Sequence, residues 1–272
     1  MLPIIADLNI YLLYFLDIAS VMNFTIISKE QYALLSIVDF VKELRLLKRK
    51  TKIIEFACMY NYISILKWYH ESINEFKYNK GAIDLAACFG NIRILDWFDK
   101  SAYIITFNNR TIDRVAGKGY IEVLEWFDKS KYDFIYSHRA IDLAALNGQV
   151  GVLDWFDKSR HKFYYKKAII YAATFGQIPI LEWFGKSDYF NYTEYAIDTA
   201  CFNGHTSVLD WFDKSGYKFK YSNAIDMACL KGHINVLDWF YNSKYEFKYN
   251  ALTLPNCGNQ NVLEWFKTHN KN

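Results

Sequence analysis

One acidic residue recurs at the same position of a repeated motif, and such a series of carboxylates could bind a metal ion or act in general acid–base catalysis. The residues are Asp84, Asp113, Asp142, Asp198 and Asp226. Each lies in the first turn of a predicted helix, where a carboxylate can bond free backbone N–H groups and interact favourably with the helix dipole. Because a feature copied into nearly every unit is usually structural, we interpret the series as structural.

The other residues that could do chemistry are dispersed along the chain. Cys58, Cys201 and Cys229 share one repeat position, and Cys88 lies one residue further on. No C-x-x-C pair exists and no histidine follows at ligand spacing, so we interpret these cysteines as small buried residues. The six histidines form no triad pattern with serine or cysteine, and there is no glycine-rich phosphate loop. The sequence predicts a protein that is not an enzyme and binds no metal or cofactor.

Eight tryptophans set the period of the repeat. They are Trp68, Trp97, Trp126, Trp155, Trp183, Trp211, Trp239 and Trp265, with separations of 29, 29, 29, 28, 28, 28 and 26 residues. So regular a period is the signature of stacked repeats. Because each indole lies between leucine and phenylalanine in a predicted helix, we predict that the tryptophans form the buried spine of the fold. Trp155→Ala should then cost about 3–5 kcal/mol.

Each unit is predicted to contain two helices and a tail. The first helix is short and rich in alanine, and a glycine such as Gly90 ends it, because glycine takes a positive φ at little cost. The second helix is apolar over a wide face, with acid–lysine pairs such as Asp154–Lys158 expected on its solvent side. The tail K-Y-x-F-x-Y is expected to run extended along the next unit and pack its rings there.

The unit resembles an ankyrin repeat, most clearly in S-N-A-I-D-M-A-C-L-K-G-H-I-N-V-L-D-W-F at 222–240. The ankyrin unit has T-P-L-H-x-A-A, then G-H and an apolar second helix, with a period of about 33 residues. Gly204–His205 and Gly232–His233 keep the G-H pair, whereas aspartate replaces the family's T-P-L-H histidine. The units are shorter than the family's by about the length of its protruding hairpin. This shortened form resembles the diverged ankyrin arrays of giant DNA viruses that infect amoebae.

The resemblance implies an all-α, ankyrin-like α-solenoid of about eight helix-turn-helix repeats over residues 51–269, preceded by a helical N-terminal segment, 1–50. The degenerate last unit, A-L-T-L-P-N-C-G at 251–258, is typical of a capping repeat. The resemblance to ankyrin repeats also implies a protein–protein interaction scaffold that binds its partner on the concave face. The positions that vary there give as partner-binding candidates Phe89, Lys118, Asn147, Phe175, Phe202, Asn203 and Lys231. Phe175 and Phe202 would suit hot spots, although some of these residues could instead pack only against neighbouring loops.

Composition limits the other possibilities. The chain is 52% hydrophobic with a net charge of only +3, and its charges are interspersed, which argues against nucleic-acid binding. No apolar run approaches the length of a membrane span and no secretion signal is present. The five cysteines form no disulfide framework, so we expect an intracellular monomer. It would be cytoplasmic, or nuclear if the basic run at 47–52 is an import signal rather than the solvated end of a helix.

The segment at 7–29 is similar to an F-box, the module that docks on the adaptor of a cullin ubiquitin ligase. The F-box register is matched by Asp7, by four leucines, by Asp17 and by the Ile-Ser-Lys at 27–29. Gln31, however, stands where a tryptophan is usual. The predicted adaptor-binding residues are Leu8, Leu12, Leu13 and Leu16. The chain would then be the substrate receptor of such a ligase. The alternative is a helical cap that covers the apolar edge of the first repeat.

Overall fold

The computed structural model describes residues 50–72, 78, 80–101, 103, 105–250, 253 and 258–269. Within these residues the chain is all-helical, with no β-strand. The helices are α1 Lys50–Met59, α2 Ile63–Ser72, α3 Lys80–Cys88, α4 Ile92–Lys100, α5 Thr111–Lys118, α6 Ile121–Lys129, α7 Arg139–Leu146, α8 Val150–Lys158, α9 Ala168–Thr174, α10 Ile178–Gly185, α11 Tyr195–Phe202, α12 Thr206–Lys214, α13 Ala224–Lys231, α14 Ile234–Asn242 and α15 Gln260–His269. Among the residues placed, no helix has both the length and the apolarity to cross a bilayer.

The chain divides into two compact units, Met1–Asn108 and Asn109–Asn272. In the second unit the helices form two layers. The first helices of the hairpins, α5, α7, α9, α11 and α13, pack on one another in chain order. The second helices α6, α8, α10, α12, α14 and finally α15 do the same. In the described part of the first unit, α1 packs on α3 and α2 on α4, which is the same arrangement.

Alanines bring the first helices close together. Ala140, Ala144, Ala172 and Ala200 are completely buried, and the packing between first helices is far more extensive than that between second helices. A methyl side chain lets a neighbouring helix approach closely, as the alanine-rich pattern predicted. The first-helix layer is therefore tightly packed.

In six of the second helices, α4, α6, α8, α10, α12 and α14, the buried ring is the phenylalanine and not the tryptophan. Phe98, Phe127, Phe156, Phe184, Phe212 and Phe240 are at most 1% exposed. Trp265 is buried, at 7% exposure, whereas six other tryptophans are half-buried: Trp97, Trp126, Trp155, Trp183, Trp211 and Trp239. The prediction that the indoles form the buried spine is therefore wrong for these six. Adjacent residues of a helix point about 100° apart, so in these six helices the phenylalanine faces the core and the tryptophan lies at its edge.

The half-buried tryptophans connect neighbouring second helices. Trp183 Nε1 donates to Asp154 Oδ1 at 2.6 Å, and Trp239 Nε1 donates to Asp210 Oδ1 at 2.7 Å. Asp154 and Asp210 were expected to support their own helices through lysines four residues later. Instead, each accepts a hydrogen bond from the indole of the next repeat. The predicted pair Glu125–Lys129 does form, at 3.2 Å between two exposed side chains.

The tail of each repeat packs on the following repeat, as predicted. Residues 133–137 belong to no helix. The ring of Phe134 stacks on Trp155 with centroids 5.6 Å apart, and Tyr136 lies 5.1 Å from Phe156. The Tyr136 hydroxyl donates to the carbonyl of Lys162 at 2.6 Å. The same contacts recur from Phe163 to Trp183, from Phe219 to Trp239 and from Phe247 to Trp265.

The aspartate series of the first helices is structural, but its hydrogen bonds run to the next repeat. Asp142 Oδ1 accepts the backbone N–H groups of Lys166 and Lys167 at 3.0 and 2.8 Å. Asp113 bonds the backbone and hydroxyl of Ser137 in the same way. Each bonded group lies 24 or 25 residues later, just before the next first helix. We had expected the free N–H groups of each aspartate's own helix to be the donors.

A left-handed residue ends each first helix, as predicted. The glycines at 90, 119, 148, 176, 204 and 232 have φ between +67° and +79°. After α1 the equivalent residue is Asn61, with φ +61°, and asparagine tolerates this region better than most side chains do. The next residue often reaches back one repeat. Asn91 Nδ2, for example, donates to the carbonyls of Cys58 and Met59 at 2.7 and 2.9 Å.

Candidate protein-binding surface

In the second unit, the first helices expose two rows of side chains. The amino row, at the start of each helix, consists of Arg110, Arg139, Lys167, Tyr195 and Asn223. The carboxyl row, just before each glycine, consists of Lys118, Asn147, Phe175, Asn203 and Lys231. Both rows are exposed at every repeat. We call the two rows, with the residues between them on the same helices, the first-helix face.

Five of the seven predicted partner-binding residues form the carboxyl row itself. Phe175 is the apolar residue of that row, and 52% of its surface is exposed. Phe202 precedes Asn203 and is half-buried, with the Lys231 ammonium 4.5 Å from its ring centroid. Because a cation over an aromatic face is attracted to it, Phe202 and Lys231 form one local surface. The prediction thus placed six residues on one continuous stack of helices.

Two asparagines of the carboxyl row also support the fold. Asn147 Nδ2 donates to the carbonyl of Gly117 in the preceding repeat at 2.8 Å. Asn203 Nδ2 donates to the carbonyl of Thr199 in its own helix at 2.9 Å. Both amides therefore bond carbonyls near the end of a first helix. A substitution at either position would change stability as well as any contact with a partner.

The seventh predicted residue, Phe89, lies in the first unit. It directly follows α3, with 37% of its surface exposed, while its neighbour Cys88 is completely buried. Its position just before Gly90 matches the carboxyl row. Within the first unit, Phe89 is therefore an exposed apolar residue at the variable position of its repeat.

Seven exposed residues of the face were not among the predicted contacts: the five of the amino row, together with Arg114 and Leu230. Tyr195 and Leu230 are 64% and 48% exposed, and Arg114 is exposed one turn after Arg110. The signal for Tyr195 and Leu230 was present, because both stand at variable positions of the repeat. Arg114 could have been found by its spacing, since residues four apart share one side of a helix.

The four cysteines that the structure describes are buried. Cys58, Cys88, Cys201 and Cys229 are free thiols with no exposed surface. Burial and the nearby charge of Glu55 raise the pKa of the Cys58 thiol, and burial and Asp198 raise the pKa of Cys201. Since the thiolate is the reactive form, neither residue is poised as a nucleophile. Within the part of the chain that is placed, no group of three or more His, Cys, Asp or Glu side chains is arranged to hold a metal ion.

The predicted adaptor-binding residues Leu8, Leu12, Leu13 and Leu16 lie outside the described residues. The first half of the basic run, residues 47–49, also lies outside them, because the described chain begins with α1 at Lys50. The ubiquitin-ligase hypothesis therefore depends on the sequence pattern at 7–29 alone.

Comparison with known proteins gives no family for this chain. No protein-family model matches the sequence, and no curated protein matches it. The likeness to ankyrin repeats therefore depends on the residues of the repeat unit, and the function has to be argued from the first-helix face.

Proposed function

We propose that this chain is a protein-binding scaffold, an ankyrin-like α-solenoid whose first-helix face recognises another protein. The central observation is the exposure of Phe175 and Leu230, at 52% and 48%. Both stand at variable positions of the repeat. Large apolar side chains held outward on a rigid layer of helices are typical of protein-binding surfaces.

Two further features support a binding role over a catalytic one. The conserved positions of the repeat unit, such as Asp142 and Phe156, are used for contacts between repeats, so they are not available as reactive groups. The variable positions alternate cationic, amide and aromatic side chains along one face. The proposal includes no metal, cofactor or catalytic step, and it places the protein inside the cell as a monomer.

The test is recovery of partners from native cells with the full chain as bait, quantified by mass spectrometry. Phe175→Ser combined with Leu230→Ser should reduce recovery of the true partner at least tenfold, which corresponds to about 1.4 kcal/mol. Both side chains are largely exposed, so the fold should persist, and circular dichroism checks this.

A matched control is Ile135→Ser with Tyr164→Ser. These residues are also exposed, at 54% and 41%, but lie in loops that follow second helices. The control should recover the partner as wild type does. If all three baits retain the same proteins in the same amounts, the first-helix face is not the binding surface.

The second candidate is a substrate receptor of a cullin–F-box ubiquitin ligase, favoured by the F-box-like register of Leu8, Leu12, Leu13 and Leu16. On this hypothesis, wild-type chain should bind purified ligase adaptor. Changing Leu12, Leu13 and Leu16 to alanine should abolish adaptor binding and leave binding through the first-helix face unchanged. An adaptor that fails to bind the wild-type chain would leave residues 1–50 as a cap.

A further inference from the structure

Positive charge is concentrated at one end of the first-helix face. Six basic side chains are exposed on or just before α5, α7 and α9: Arg110, Arg114, Lys118, Arg139, Lys166 and Lys167. The formal net charge of the entire chain is only +3. The near-neutral composition therefore conceals a local basic surface, which we call the basic end.

The carboxylates on the helices of the basic end accept hydrogen bonds from the loops that follow. Asp113 and Asp142, the acids of α5 and α7, are 2% and 4% exposed and accept hydrogen bonds from the loops that follow. In the described part of the chain, no acidic side chain forms an ion pair with Arg114, Arg139, Lys166 or Lys167. The positive charge of these four side chains is therefore not neutralised by an ion pair.

The other end of the same face is apolar and aromatic. Phe175, Tyr195 and Leu230 are all strongly exposed there, and Phe202 lies beside Lys231. Glu194, just before α11, adds an exposed negative charge on this side. The face therefore changes from cationic to apolar along the stacking direction of α5 to α13.

We infer that the first-helix face binds a protein segment in which a cluster of acidic residues is followed or preceded by large apolar residues. The acidic cluster would lie over α5, α7 and the start of α9, and the apolar residues over the end of α9, α11 and α13. This inference rests on the proposed function and specifies its partner. Charge complementarity would speed and orient association, and apolar contacts would supply the anchors. A nucleic acid fits less well, because at the apolar end Lys231 stands among exposed apolar side chains and Glu194 adds a negative charge that repels phosphates.

The experiment uses the full chain and fluorescent synthetic peptides of identical composition. The block peptide is made in both orders, with glutamates before or after leucines and phenylalanines, and the order that binds more tightly is used; in the mixed peptide, the same residues alternate. The block peptide should bind at least tenfold more tightly by fluorescence anisotropy. Arg114→Glu, Arg139→Glu and Lys167→Glu together should weaken its binding at least tenfold. This difference should shrink as salt is raised from about 0.1 M to about 1 M, because the screening length falls from about 10 Å to about 3 Å.

A matched variant controls for overall charge. Lys158→Glu, Lys186→Glu and Lys214→Glu change the net charge by the same amount, but these exposed lysines lie at or next to the carboxyl ends of second helices. This variant should bind the block peptide as wild type does. Equal loss in both variants, equal binding of the two peptides, or no binding of the block peptide would overturn the inference. So would an oligothymidylate that binds more tightly than the block peptide and displaces it.

These outcomes are separable from a failure of the proposed function. A native partner whose recovery depends on Phe175 and Leu230, but survives reversal of the three basic charges, would refute acid recognition alone. Recovery that is insensitive to both sets of changes would refute the binding surface itself.

Discussion

Phe156→Ala is expected to lower the free energy of unfolding by about 3–5 kcal/mol, the range for deleting a buried aromatic ring. Phe156 has no exposed surface, and the rings of Tyr136 and Trp155 lie 5.1 and 5.0 Å from it. Removing its ring leaves a cavity between two repeats, because rings held by both units cannot easily collapse into the space. The measurement is urea denaturation of the full chain, followed by circular dichroism.

The informative control is the adjacent Trp155→Ala. Trp155 is half-buried, and it contacts Phe134 and His161 on its exposed side. Its loss removes less buried area and opens a gap that water can enter, so we expect a cost of about 2 kcal/mol. If Trp155→Ala destabilises the protein as much as Phe156→Ala, then the indole is the core residue and the packing described above is wrong.

Gly204→Ala is expected to cost about 2–3 kcal/mol. Gly204 has φ +75°, where an alanine side chain is strained by about 1–2 kcal/mol. The added Cβ would also lie 2.6 Å from His233 Nδ1. His233 cannot move away freely, because its Nε2 is within hydrogen-bonding distance, 3.0 Å, of the Phe202 carbonyl. Displacing the imidazole would add the loss of that hydrogen bond, about 1 kcal/mol.

A second glycine separates the backbone effect from the contact between repeats. Gly216 has φ +80°, but a Cβ there would meet no atom within 4 Å. Gly216→Ala should therefore cost only the strain, about 1–2 kcal/mol. Thermal or urea denaturation of both variants gives the difference. A cost for Gly204→Ala no larger than that for Gly216→Ala would mean that the His233 contact contributes nothing to stability.

Much of the fold could be predicted from the repeat unit. The glycine at each first-helix end predicted the left-handed residue found at Gly119 and Gly232, because few other residues take that conformation cheaply. Alternation of aromatic and polar residues in the tail correctly predicted rings such as Phe134 and Tyr136 on the next repeat. The choice between Trp155 and Phe156 as the core residue could not be made, since both are large and apolar and stand side by side in one helix.

The candidate surface was predicted in part. Variable positions before each glycine gave the carboxyl row, including Phe175, because residues without packing duties are free to differ. The basic end could not be seen from the charge count, since acids such as Asp113 and Asp142 balance it in composition. Only in the folded chain are those acids turned inward to the loops, while Arg114 and Arg139 stay exposed.

The sequence by itself determined the period, the helical content of each unit and the places where each first helix ends. These follow from local rules that link residue type to backbone conformation. The tertiary structure decided which ring is buried, which carboxylate bonds which repeat, and where charge remains uncompensated. Those outcomes depend on partners 24 to 32 residues away, such as Ser137 for Asp113 and Tyr245 for Asp213, and only the stacking of one hairpin on the next brings them together.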